Sequence, residues 1–386
     1  PRNRMAYLRA AQIAHDRMVL AEYRVPDVEA LPLARRSRDW LEKYLNTGKV
    51  DEGEKDQIVM AGTNVANWYI RKDLIDQGLQ LLQRMIAVAK ETNLPRRVGA
   101  AQVIAARALR SIGDLDAALA ASREAVSLTQ PPPGAKLGPT SGLAVFTQGE
   151  VLGEDDAVSL GRPREAVEYF ERGYGQALDF VRQDPNDAVM KLSLSNRGTK
   201  LAGVIRHWDP QRAIEIYDEV LLRLGEIKNN TKARRDEVRA LAWSIYPLAQ
   251  MGRSAEARRN LDLAFSKMRD LKLYPSEKIE PGSEPVIALR ALADFEAGAG
   301  KVRRGVEIHQ ELFTKLRASD PQPEANLEAA MERSQIYQSM AQLHRRAADP
   351  GEAAAIDARR MELWRHWDRK LPNNPFVHRQ IAAAGK

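Results

Sequence analysis

Seven small residues recur at a nearly constant interval along this chain: Gly78, Ala118, Ala166, Ala213, Ala257, Gly305 and Ala353, at successive spacings of 40, 48, 47, 44, 48 and 48 residues. A period of this size marks stacked supersecondary units, none of which can bury its apolar face alone. Four positions after each small residue come Leu82, Ser122, Phe170, Tyr217, Leu261, His309 and Asp357. Eight positions after come Ile86, Val126, Tyr174, Leu221, Phe265, Phe313 and Met361. Both offsets fall on one side of an α-helix, which turns every 3.6 residues. Five positions before come Asp73, Gly113, Gly161, Trp208, Gly252, Gly300 and Ala348. The recurring glycine suits a tight turn with positive φ just ahead of a helix. Each unit reads as helix, short turn, helix, with the small residue letting the two helices approach. A large side chain at that point is expected to cost about 1–3 kcal/mol by overpacking.

Hydrophobic residues make up 44% of the chain and charged residues 29%, which predicts a folded protein and not a disordered one. The absence of cysteine excludes disulfides, thiolate metal sites and cysteine nucleophiles, and leaves the redox compartment open. No run approaches the roughly 18 apolar residues of a membrane span. The chain begins at Pro1 with no visible signal peptide, and reads as a fragment or processed form whose compartment is unknown. Net charge is +7, but the basic residues come as scattered doublets such as Arg96–Arg97, Arg258–Arg259, Arg303–Arg304 and Arg345–Arg346, interleaved with acids. That pattern reads as a solvated helical surface ahead of an anion-binding face.

Helices are expected at 4–24 and 31–45, with Pro32 in the first turn of the second, then at 54–71 and 74–91, and at 97–111 and 114–129. Residues 130–141, with Pro131, Pro132, Pro133, Gly134, Gly138 and Pro139, read as a surface loop. The pairs resume at 143–159 with 163–182, 187–206 with 210–227, 232–250 with 254–271, 284–298 with 302–318 and 324–346 with 350–370. A second loop covers 272–283, and Asn374 to Ala384 reads as a short cap helix. Nothing alternates with period two for long enough to suggest a sheet. The organisation is therefore a divergent helix pair over 1–53, a repeat array over 54–371 and a cap or tail over 372–386. A terminal repeat must turn a polar face to water, and Asp357 and Arg360 at repeat positions of the last pair fit that expectation.

The sets Gly113/Ala118/Ala125, Gly161/Ala166/Phe170 and Gly252/Ala257/Ala264 resemble the tetratricopeptide repeat, over about residues 54 to 370. Units in that family repeat every ~34 residues, so the longer intervals here imply longer helices and loops. The resemblance implies an all-α, tetratricopeptide-like α-solenoid, a right-handed superhelix of about seven or eight helix pairs. A narrower likeness lies in DPNDAVMKLSLSNRGTKLAGV, DPQRAIEIYDEVL and LPLARRSRDWLEKYL, which look like the repeat region of certain bacterial serine/threonine kinases. No Gly-rich phosphate loop and no HRD or DFG signature is present. That likeness implies the sensor or docking part of a signalling kinase, on the extracytoplasmic side of a membrane-anchored protein.

No residue set announces a reaction, so the chain is read as a non-enzyme without cofactor or metal. Among the six histidines none has metal-ligand spacing, and His309, on a repeat position, reads as a packed side chain. Glu154, Asp155 and Asp156 could act as acid and base, but with no base or nucleophile to place beside them they read as a solvated helix end. Trp364 and Trp367 with Arg365 and Arg369 read as the seal of the last repeat.

In the tetratricopeptide family the first helix of each pair lines the concave groove. Carried onto this chain, the groove positions are Asn64, Asn67, Arg71, Arg107, Arg110, Gln148, Asn196, Arg206, Arg239, Tyr246, Arg290, Gln335, Gln338 and Gln342. Amides and guanidiniums suit the backbone and carboxylates of an extended peptide. The basic clamp that some members use is not reproduced, since Val103 and Ile104 stand at its place. The expected function is a protein-interaction scaffold that docks a peptide or partner domain. A nucleic-acid-binding solenoid is the alternative, and an enzyme site assembled from distant repeats comes last.

Overall fold

The computed structural model describes residues 2–24, 27–48, 50, 53–132, 134–319 and 322–385. Among the described residues there are helices and no strands. The helices are α1 (Arg2–Arg24), α2 (Asp27–Leu45), α3 (Lys55–Arg71), α4 (Ile75–Glu91), α5 (Pro95–Ser111) and α6 (Leu115–Thr129). Then come α7 (Pro139–Gly153), α8 (Pro163–Gln183), α9 (Ala188–Ile205), α10 (Pro210–Gly225), α11 (Thr231–Gln250) and α12 (Ser254–Asp270). The chain closes with α13 (Glu284–Gly298), α14 (Val302–Arg317), α15 (Leu327–Arg346), α16 (Pro350–Lys370) and α17 (Pro375–Ala384). Asp209, Asn230, Asn326, Asp349 and Asn374 each turn a side-chain oxygen onto the first free amides of the helix that follows, which stops the preceding turn from continuing.

The repeat reading holds in detail. Ala118, Ala166, Ala213 and Ala257 have no exposed surface. A Cβ added to Gly78 would lie 2.8 Å from the Ala66 carbonyl oxygen, and one on Gly305 would lie 2.9 Å from that of Ala293. The paired helices therefore touch backbone to backbone at these points. The turn glycines Gly113, Gly161, Gly252 and Gly300 have φ of 84°, 70°, 70° and 86°. Asp73 and Ala348, at the same repeat position, adopt 62° and 61° without being glycine.

The buried stripe continues at offset four, where Leu82, Phe170, Tyr217 and Leu261 are fully covered. It then runs through offset seven, where Met85, Ala125, Val220, Ala264 and Leu312 are fully covered. The offset-eight residues Tyr174, Leu221, Phe265, Phe313 and Met361 are only half-buried. At 100° per residue, seven positions return to within about 20° of the start, while eight overshoot by about 80°.

Two helices, α2 and α7, differ most from the sequence reading. Helix α2 begins at Asp27, so Pro32 lies inside it and not in its first turn. Helix α7 starts at Pro139 and stops at Gly153, where an added Cβ would come within 2.6 Å of the Arg162 and Pro163 backbone. The chain doubles back there, and residues 154–162 form a connector instead of helix. Its backbone ties down through Leu160 N to Val151 O and Arg162 N to Leu152 O, both at 2.9 Å.

The chain divides into two units, Pro1–Leu109 with Asp116–Thr147, and Arg110–Leu115 with Gln148–Lys386. The first is built on a core that includes Val65, Trp68, Leu82, Met85 and Val98. In the second, the first helices α9, α11, α13 and α15 stand side by side, and α10, α12, α14 and α16 pack behind them. The end of this unit folds back on the connector. Gln335 Nε2 donates to the Asp156 carbonyl at 2.8 Å, Asn374 Nδ2 to the Gly113 carbonyl at 2.8 Å, and Arg379 to the Ser159 carbonyl. Leu115, Val158, Leu327, Trp364 and Phe376 form the core beneath this closure.

That closure corrects one expectation. Arg360 does not face water: it is 5% exposed, with Nε on Ser334 Oγ at 3.0 Å and Nη2 on Gln338 Oε1 at 3.0 Å. Helix α17 covers it, so its charge is satisfied by hydrogen bonds in place of solvent.

A candidate binding cavity

A cavity of about 910 Å³ lies in the second unit. Its walls come from α9, α11, α13 and α15, from Arg110 near the end of α5, and from the connector at Glu154–Val158. Side-by-side first helices present to it the faces they do not use for packing on their partners.

Both signs of charge line the cavity. Arg110 pairs with Glu154 at 2.6 Å and donates Nε to the Val158 carbonyl. Lys200 meets Glu154 at 2.9 Å and also pairs with Glu150. Arg206 pairs with Asp155 at 2.7 Å and lies over the rings of Trp243 and Tyr246, at 5.1 and 4.8 Å. Arg290 donates to Gln335 Oε1 at 2.9 Å and lies 3.7 Å from Asp156. The acidic stretch is therefore not a solvated helix end. Because α7 stops early, the connector turns its carboxylates inward onto cations from α5, α9 and α13. Burial pushes the Asp156 carboxyl up, against the pull of Arg290 and Arg206.

On α11, Arg235 and Arg239 both grip Glu284, at 2.8 and 2.6 Å. The Glu284 side chain is 1% exposed. Burial raises this carboxyl, but the bond from Arg235 and the charge of Arg239 together outweigh it and hold Glu284 below its ordinary value. From α15, Glu332 accepts the Gly282 amide at 2.9 and 3.1 Å, beside the carbonyl of the same residue, which accepts from Arg239 Nη2 at 2.9 Å. Burial pushes the Glu332 carboxyl up. Glu328, one turn earlier, is exposed.

No family model matches the chain, and no curated protein matches it. Among solved structures, it is similar to a Rap protein complexed with Competence and Sporulation Factor (TM-score 0.53, 10% identity, 97% of this chain and 99% of that one). It is also similar to the Rap conjugation gene regulator of plasmid pLS20 in complex with a Phr peptide (TM-score 0.51, 11% identity, 96% and 98%). A tetratricopeptide repeat protein from Parabacteroides merdae aligns at TM-score 0.44 and 11% identity, over 85% and 99%. The fold is a tetratricopeptide-like α-solenoid.

Of the groove positions expected from the sequence, the solenoid brings Arg110, Asn196, Arg239, Arg290 and Gln335 together on the cavity wall. Arg206 lines a smaller adjoining space of about 100 Å³. Gln148 is buried elsewhere, Tyr246 gives its hydroxyl to Asp294 at 2.9 Å, and Gln338 is held by Arg360. Gln342 is exposed outside the cavity. Asn64, Asn67, Arg71 and Arg107 belong to the first unit, where Asn64, Arg71 and Arg107 are exposed and Asn67 is half-buried.

Arg235, Glu284, Glu328, Glu332 and Trp243 line the cavity and went unnoticed in the sequence. The signal was present for two of them: Arg235 precedes Arg239, and Glu328 precedes Glu332, by one helical turn. His309 is fully buried on α14, 3.7 Å from Asp294. Trp364 and Trp367 are buried and donate to Ser334 Oγ and the Pro323 carbonyl, each at 2.8 Å, while Arg365 and Arg369 are exposed. Among the described residues, no group of three or more His, Asp or Glu side chains is placed to hold a metal ion.

Proposed function

We propose that this solenoid is a protein-interaction scaffold that binds a peptide or extended partner segment in the cavity of its second unit. The observation that carries the reading is the wall itself. Successive first helices present guanidiniums, carboxylates and the exposed amide of Asn196 to one continuous space. An extended chain has unpaired amides and carbonyls along its whole length, and such side chains satisfy both. Two structural relatives of the same fold were solved in complex with Competence and Sporulation Factor and with a Phr peptide, which supports this use of the fold.

The nucleic-acid alternative gains nothing from the surface. Arg97 is spent on Asp56 at 2.6 Å, Arg258 on Asp262 at 3.0 Å, Arg304 on Glu307 at 2.9 Å, and Arg345 on Asp357. A place beside a kinase domain rests on the sequence likeness alone, and none of the structural relatives adds to it.

Selection from a displayed random dodecapeptide library, followed by titration calorimetry of the enriched peptides, tests the reading. Arg239→Glu and Asn196→Asp should each weaken binding about tenfold or more. Enriched peptides that bind both variants as well as the parent would place the site elsewhere.

A further inference from the structure

The charges that line the cavity are balanced and largely paired within the protein. Among the described residues on its wall are six Arg or Lys and seven Asp or Glu. Lys232 pairs with Asp236 at 2.8 Å, Arg206 and His207 both hold Asp155, and Arg290 is shared between Gln335 and Asp156. Glu332 accepts the Gly282 amide while Arg239 donates to the carbonyl of that residue, so this carboxylate stands among Arg239, Arg290 and Arg333. An ion pair already closed inside the protein gains little from a ligand charge, which must shed its water and then share or break that pair. Such a wall supplies hydrogen bonds to a backbone more readily than it selects a charged side chain.

Three apolar side chains on the same wall are half-buried: Trp243 on α11, Ile287 on α13 and Met331 on α15. Helix α13 touches both α11 and α15, so the three stand on consecutive helices of the wall. Each is held by packing. Ile287 rests on the core that contains Leu241 and Ala288, and Met331 on the core that contains Leu327 and Trp364. Trp243 lies beside Tyr246, with ring centroids 5.7 Å apart, and under the Arg206 guanidinium. Removing water from apolar surface is favourable in proportion to its area, and rigid apolar residues ringed by satisfied polar groups are the usual centres of binding energy.

We propose that the segment bound in this cavity is anchored by large apolar side chains, aliphatic or aromatic, packed on Trp243, Ile287 and Met331, and that its charges contribute little to affinity. This rests on the peptide-binding reading above and adds the ligand's side-chain chemistry. The polar wall then serves the ligand's backbone, and the apolar residues set which sequence is preferred.

The peptides enriched from the dodecapeptide library test this. They should share large apolar residues, and alanine at those positions should weaken binding about tenfold or more, whereas Gln or Asn in place of charged residues should change it less than about threefold. Affinity should be nearly equal at about 0.05 and 0.5 M salt. Met331→Gln should weaken an enriched peptide severalfold and leave its alanine counterpart unchanged. A second readout keeps the wall intact: tryptophan fluorescence should change on binding in the parent and much less in Trp243→Phe. Enriched peptides without a shared apolar residue, or whose binding disappears when their charges are neutralised or screened, would overturn this inference and leave the scaffold reading standing. A library that yields no binder would overturn both.

Discussion

Arg110, near the end of α5, and Glu154, just past α7, meet at 2.6 Å with side chains only 10% and 14% exposed. A pair this deep persists only when its remaining hydrogen bonds are also met, and here the Val158 carbonyl and Lys200 meet them. Glu154→Leu would leave Arg110 and Lys200 facing one carboxylate fewer. We expect a loss of about 3–5 kcal/mol, read as a lowered urea midpoint of the unit that holds the cavity. The double variant Arg110→Met with Glu154→Leu should recover much of that loss. A single variant as stable as the parent would show that the pair is solvated after all.

Glu332 gives a pH signature. Its carboxyl is pushed up by burial, more than the Gly282 amide and the nearby arginines pull it down. The folded state therefore holds this proton at higher pH than the unfolded chain does. The resulting contribution to stability is full below the unfolded value, about 4.3, and is lost as pH rises through the elevated folded value. The difference in denaturation midpoint between the parent and Glu332→Gln should change across that window and be flat above it. A difference independent of pH would show that Glu332 titrates as it does in water.

Two glycines should respond to alanine with opposite signs. A Cβ on Gly305 would lie 2.9 Å from the Ala293 carbonyl oxygen, so the helices must part, and Gly305→Ala should cost about 1–2 kcal/mol even after its gain in helix propensity. Gly175, within α8, has nothing within 4 Å of that position, and Gly175→Ala should add about 0.5–1 kcal/mol. Thermal melts of the two variants check both, and equal shifts would remove the close-contact explanation.

Ala348 sits at φ 61°, where other repeats place glycine. A Cβ in that conformation costs about 1–2 kcal/mol, and glycine gives back part of it through the entropy of the unfolded chain. Ala348→Gly should therefore stabilise by roughly 0.5–1 kcal/mol in a denaturant titration. A destabilised variant would mean that the methyl group makes contacts that outweigh the strain.

The repeat was legible because its signals are local. A helix pair declares itself through a small residue, a bulky one four positions on and a glycine five positions back, all within two turns of the contact they make. Offset eight marks the edge of the buried stripe and not its centre: Ile86 and Val126 are buried there, while Phe313 is half-buried beside the fully covered Leu312. Arg235 and Glu328 were missed because the count back from each small position stopped at Arg239 and Gln335, short of the turns that hold them.

The chain's own pattern was enough to settle that helices form, where they begin and end to within a few residues in most cases, and which stripe each pair buries, since these follow from interactions within one or two turns. Which polar residues meet was decided only in three dimensions. Asp156 and Gln335 are joined by a hydrogen bond across most of the second unit, and Arg360 is dry because α17 returns over it. A charge read along the sequence has no environment until helices of neighbouring repeats pack side by side and supply one. Arg110–Glu154, Lys200–Glu150, Arg206–Asp155 and Arg239–Glu284 each join two neighbouring repeats, and Arg290 reaches Asp156 from farther along the chain, so packing alone decided which side chains meet.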